Sequence, residues 1–125
     1  MELLFESTAA FERDLAALRD KDRESLIEAI NRHCPLLACD QESFFAHVYQ
    51  PRAITLQHDC CSSLYVLPAA PGYAIILTID DDPIFEQTII TLLGIVPDGE
   101  IETAYTRTAR ALYRRWMREG GAAHG

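Results

Sequence analysis

"YAIILTIDDDPIFEQTIITLLGIV", residues 73–96, decides how this chain folds. Two apolar runs, rich in β-branched residues, flank three consecutive aspartates and a proline. Runs of that composition, separated by turn chemistry, read as strands. The aspartates admit two readings, a metal site or a turn. Consecutive side chains leaving a strand point to opposite faces, so three adjacent carboxylates do not converge easily on one ion. A calcium loop starting at Asp80 would need glycine at its sixth position and glutamate at its twelfth, where Phe85 and Thr91 stand. Pro83 keeps Asp82 out of helical space, and Asp followed by Pro is ordinary turn vocabulary. The expectation is a hairpin turned at 81–83, with no metal.

Working outward, "AITLQ" (53–57) and "SLYVL" (63–67) carry the same strand signal. "AAPG" joins the second of these to the Tyr73 run. There Pro71 presets φ and Gly72 accepts a positive φ, as a type II turn requires. Both faces of the runs at 73–79 and 85–96 are largely apolar, so these strands are expected centrally, covered on one side by helices. Upstream, Ser7 or Thr8 can cap a helix with Phe11, Leu15 and Leu18 inward. Asp20 or Asp22 can cap a second, with Leu26, Ile27 and Ile30 inward and Glu28 and Arg32 outward. Their short join suggests an αα-hairpin. Pro35 stops the second helix, and 35–51 is expected as loop with a short turn at 41–45. "PDGE" (97–100) breaks the sheet. A closing helix then carries Ile101, Tyr105, Leu112 and Trp116 on one face.

The expected class is α+β: an N-terminal αα-hairpin packed on a four-stranded, mainly antiparallel sheet, with a C-terminal helix. One domain is expected over 1–119, followed by a flexible tail at 120–125.

At 125 residues, with 49% apolar and 24% charged, the chain is large enough to bury its own core. No apolar run approaches the roughly 20 residues of a membrane span. "MELLFEST" has two glutamates and no basic flank, so no secretory signal is expected. That points to a cytoplasmic location, where the four cysteines would be reduced thiols. The net charge of −8 argues against generic binding to nucleic acid or anionic membranes. Between Ala53 and Thr106 there is no Lys or Arg, while Asp59, Asp80, Asp81, Asp82, Glu86, Asp98, Glu100 and Glu102 are acidic. The whole net charge lies in that middle segment.

Two constellations have the residue types for chemistry. His33, Cys34, Cys39, His58, Cys60 and Cys61 are zinc-ligand types, but zinc sites use pairs two to four residues apart, and adjacent Cys60 and Cys61 would diverge in a strand. Buried thiols are the favoured reading, with a metal or thiol protein as the alternative. No metal or cofactor is expected. The closing helix holds five arginines, of which Arg107, Arg110, Arg114 and Arg118 form one stripe. The stripe suits a partner surface or phosphates, or a solvated face with cations near the helix C-terminus. No phosphate loop, HExxH or nucleophile motif is present.

The words "FESTAAFERDLAAL", "SSLYVL", "GYAIILTIDDDPIF" and "ITLLGIV", in that order, resemble the RelE/ParE superfamily of toxins from bacterial type II toxin–antitoxin systems. The resemblance spans about residues 3–113. It implies a compact α/β microdomain silenced by an antitoxin. It also implies either messenger-RNA cleavage on the ribosome, as an mRNA interferase, or ParE-type inhibition of DNA gyrase. The ribonuclease branch uses basic side chains on the sheet and its exit loop, with a tyrosine on the last helix. Tyr105 stands at the tyrosine position. The basic positions hold Pro68, Ala74, Pro97 and Asp98. In-line attack by a 2′-hydroxyl needs a base, an acid and cations for the phosphorane charge, so catalysis is expected to be lost and an antitoxin-like partner retained. The surviving enzyme hypothesis is an atypical site built from Tyr105, His47, His58 and the terminal arginines. Restoring charge with Ala74→Arg and Pro68→Arg is expected to strengthen RNA contact without harming the fold, provided both positions face an open side of the sheet.

Overall fold

The runs on either side of the aspartates are the central strands of a four-stranded mixed sheet in an α+β fold. The computed structural model describes residues 2–51, 63–69 and 71–113. Strands β3 (Tyr73–Asp82) and β4 (Gln87–Pro97) pair antiparallel, and Asp82 lies opposite Gln87. Asp82 Oδ1 accepts from the Ile84 and Phe85 N–H groups at 3.1 and 3.4 Å, and its Oδ2 accepts from the Gln87 amide at 3.2 Å. The Thr88 hydroxyl donates to Asp81 at 3.1 Å. These carboxylates hold the turn by satisfying its donors. The strands nevertheless run past the expected limits on the aspartate side, and Phe85 and Glu86 lie in the turn instead of in a strand. Glu86 adopts φ +51°, the left-handed region.

Strand β2 (Leu64–Pro68) pairs antiparallel with β3, joined through Pro71-Gly72. Gly72 has φ +89°, the conformation that the turn chemistry required. The fourth strand was not expected. It is β1 (Glu2–Ser7), parallel to β4, and the sheet order is β1-β4-β3-β2. Its apolar residues are consecutive and it lies at an edge, so it carries no period-two signal. The strand read at 53–57 falls outside the described residues.

Helices cover both faces of the sheet, not one, as its two apolar faces demand. On one face, α1 (Ala9–Ala17), α2 (Asp20–His33), α3 (Leu36–Cys39) and α4 (Gln41–Phe45) bury Phe11, Leu26, Leu37 and Phe44 against Ile75, Leu77 and Ile90. On the other, α5 (Ile101–Tyr113) lays Ala104, Tyr105 and Ala109 over Leu64, Val66, Ala74 and Ile76. Several details differ from the sequence reading. Ile27 is exposed, with Ala29 buried instead. Residues 36–45 contain two short helices, the second capped by Asp40. The cap residue of α2 is Arg19, which makes no side-chain cap bond, so neither Asp20 nor Asp22 serves. Arg23 instead donates to the Leu15, Ala16 and Leu18 carbonyls at the end of α1, a cation on free helix carbonyls. Leu112 is 43% exposed, because Ala109 and not Leu112 faces the sheet. Trp116 lies outside the described residues. No described helix is long and apolar enough to cross a membrane.

Strand β4 carries a bulge at Leu93, between the pairs Ile76 with Gly94 and Leu77 with Leu92. Helix α1 clamps it. The Thr8 hydroxyl lies 3.3 and 3.2 Å from the Leu92 and Leu93 carbonyls, and it accepts the Phe11 N–H at 3.1 Å as the N-cap of α1. Asp14 accepts the Ile95 N–H at 3.0 Å. Thr8→Val keeps the shape and removes both functions of the hydroxyl. The expected loss is about 2 kcal/mol in urea denaturation, the upper range for an N-cap. An unchanged midpoint would show that the clamp contributes nothing.

Candidate functional site

The positions singled out by the resemblance meet at one end of the sheet. Pro68 lies opposite Ala74, Ala74 opposite Val96, and Tyr73 opposite Pro97. The Asp98 N–H donates to the Gly72 carbonyl at 2.9 Å, tying the strand exit to the neighbouring turn. Beside this end, Tyr49, Pro51, Asp98, Gly99, Ile101 and Glu102 line a cleft of about 280 Å³. None of those residues is a cation. Burial, then the charge of Asp98, raises the pKa of the Tyr49 phenol. The cleft would therefore repel a phosphate backbone.

Tyr105 is brought close to this region by sequence but is directed into the core. It is 1% exposed, and its hydroxyl donates to the Leu64 carbonyl at 2.8 Å. The Gln50 side-chain amide donates to the same carbonyl at 3.1 Å. One helical face further on, the Tyr113 hydroxyl accepts the Ser63 N–H and lies 3.0 Å from the Ser63 hydroxyl. Two tyrosines of α5 thus fasten Leu64, the first residue of β2, and Ser63 just before it. Tyr49, Gln50, Ser63 and Tyr113 were not foreseen. Tyr113 sits eight residues beyond Tyr105 on the same helix, the one signal that could have revealed the pair.

The arginine stripe begins on the opposite face of α5. Arg107 and Arg110 are exposed, and with Glu102, Thr103, Thr106 and Ala111 they line an open hollow of about 870 Å³. Arg114 and Arg118 lie outside the described residues, as do His58, Cys60 and Cys61.

The other Cys and His residues group only in part. The His33 and His47 rings stack with centroids 4.3 Å apart, and the His47 Nδ1 meets the Ser43 carbonyl at 2.7 Å. Burial, then His47 and Arg32, lowers the His33 pKa. Among the described residues no group of three or more His, Cys, Asp or Glu is placed to hold a metal. Cys34 is buried, and burial pushes its thiol up to about 11, whereas Cys39 is exposed. The thiolate is the reactive species. Iodoacetamide at about pH 8 should therefore modify Cys39 and spare Cys34 in the folded protein, as read by peptide mass spectrometry. Equal rates at both would mean that the end of α2 opens readily.

No family model matches the chain, and neither the curated proteins nor the solved structures yield a match.

Proposed function

We propose that this chain is a RelE/ParE-like toxin-family protein of a bacterial type II toxin–antitoxin system that works by binding an antitoxin-like partner and not by cleaving message. One observation carries the reading. The four positions that would supply phosphate-binding cations lie together at one sheet end, and they hold Pro68, Ala74, Pro97 and Asp98. One missing oxyanion donor commonly costs on the order of 10²–10³ in rate. The order of elements also supports the lineage: after β1 come the helices α1 to α4, three consecutive antiparallel strands and a closing helix. The αα-hairpin arrangement and a cytoplasmic location belong to this proposal. Arg107 and Arg110, with Arg114 and Arg118 further along the sequence, are the proposed partner surface, since a cationic helix face complements an acidic segment.

A second reading is favoured by the same open hollow on α5. There Arg107 and Arg110 would bind RNA in place of the lost sheet cations, giving an atypical mRNA interferase; a ParE-type gyrase inhibitor would use the face for a protein target. The test adds purified protein to translating ribosomes and maps message ends. Little cleavage in the A site is expected, together with weak growth inhibition on expression. Robust cleavage abolished by Arg107→Ala with Arg110→Ala would replace the binding reading with the interferase one.

A further inference from the structure

The sheet has two edges, and among the described residues only one is closed. At the β2 edge, Tyr49 and Val66 exchange backbone hydrogen bonds of 3.0 and 2.8 Å. At the other edge lies β1. There the Glu2 N–H donates to the Glu86 carbonyl and the Thr8 N–H to the Leu92 carbonyl. Even-numbered residues therefore turn toward β4, while Leu3, Phe5 and Ser7 turn their N–H and C=O groups outward. Among the described residues no strand pairs with that side. Leu4 and Phe5 are 42% and 47% exposed, and the adjoining hairpin tip adds Ile84 and Phe85 at 81% and 70%. An open edge of this kind is a template for another strand.

We infer that this edge is a self-association surface on which two copies of the chain join β1 to β1, antiparallel, about a two-fold axis at Phe5. Hydrogen bonding and charge select the register. Outward-facing residues must oppose one another, so the axis has to pass through a residue. Centred on Phe5, Leu3 faces Ser7 and Phe5 faces itself, which satisfies all six outward groups of each copy. Glu6 then faces Leu4 and Glu2 faces Thr8, so no carboxylate directly opposes another. Centred on Leu4, Glu2 would face Glu6. Centred on Glu6, that residue would face itself, and like charges placed opposite are destabilising. Only the Phe5 register pairs every outward group within the strand.

The experiment is light scattering or sedimentation on the full chain. At about 100 μM it should report twice the 14.1 kDa chain mass. Phe5→Lys sets a charge against itself and should raise the dissociation constant about tenfold or more, with circular dichroism unchanged because Phe5 is half exposed. Phe5→Glu should do the same. An equimolar mixture of the two variants should recover the dimer, because the two charges then oppose each other. Phe5→Pro, whose lost N–H points outward and not toward β4, should also give monomer. A monomeric wild-type chain would overturn the inference, even if a different protein were found to occupy the edge. So would a dimer indifferent to either charge, or a mixture that fails to recover.

Discussion

Arginine at position 74 should unfold the chain or bring it to the brink. Ala74, in β3, is 0% exposed and shares a buried cluster with the α5 residues Ala104, Tyr105 and Ala109. A guanidinium there is an unpaired buried charge, which costs about 3–5 kcal/mol when no partner is present. The excess volume adds about 1–3 kcal/mol of overpacking. Domains of this size have about 5–15 kcal/mol in total. Pro68→Arg, at the exposed strand end opposite, should change stability by about 0.5 kcal/mol or less. The pair of substitutions is therefore not a benign way to restore charge, contrary to the expectation formed from the sequence. That expectation required an open sheet face at Ala74, and α5 closes it. Thermal melts of the two single variants check the point. An Ala74→Arg protein that melts within a few degrees of wild type would mean that α5 lifts from β2 and β3 at little cost.

The same helix marks the limit of what the residues disclosed in advance. Strands β3 and β4 were legible because their composition, the Pro71-Gly72 turn and the aspartate turn all agree, and local agreement of that sort survives in the fold. Thr8 was legible as a cap, but its second task joins it to carbonyls 84 and 85 residues away, which no local pattern encodes. Strand β1 was invisible because its apolar residues run together at an edge. The sheet-end positions Pro68, Ala74, Pro97 and Asp98 were legible only through a resemblance. The burial of Ala74 among them was not, since the face that α5 covers depends on Ala104 and Ala109, small residues that carry little hydrophobic signal of their own.

Tyr105→Ala should be the second severe change, and Tyr105→Phe a moderate one, and their difference separates packing from the hydroxyl. Removing the ring empties the space between α5 and β2, where aromatic-to-alanine changes cost about 3–5 kcal/mol. Removing only the hydroxyl withdraws a donor 2.8 Å from the Leu64 carbonyl, 41 residues earlier in the chain. A buried acceptor deprived of a donor costs about 1–3 kcal/mol. The Gln50 amide also reaches that carbonyl, which places the phenylalanine variant toward the lower end. Urea denaturation of both variants gives the two numbers directly. A catalytic tyrosine would behave differently: Tyr105→Phe would leave stability nearly unchanged and abolish message cleavage. Here the hydroxyl is buried and already committed to backbone, so its removal should lower the midpoint while leaving a negligible ribosomal activity as negligible as before. If the phenylalanine variant is as stable as wild type, the bond to Leu64 does not hold β2 in place. If it also eliminates a measurable cleavage, Tyr105 belongs to an active site and the binding-only function fails with it.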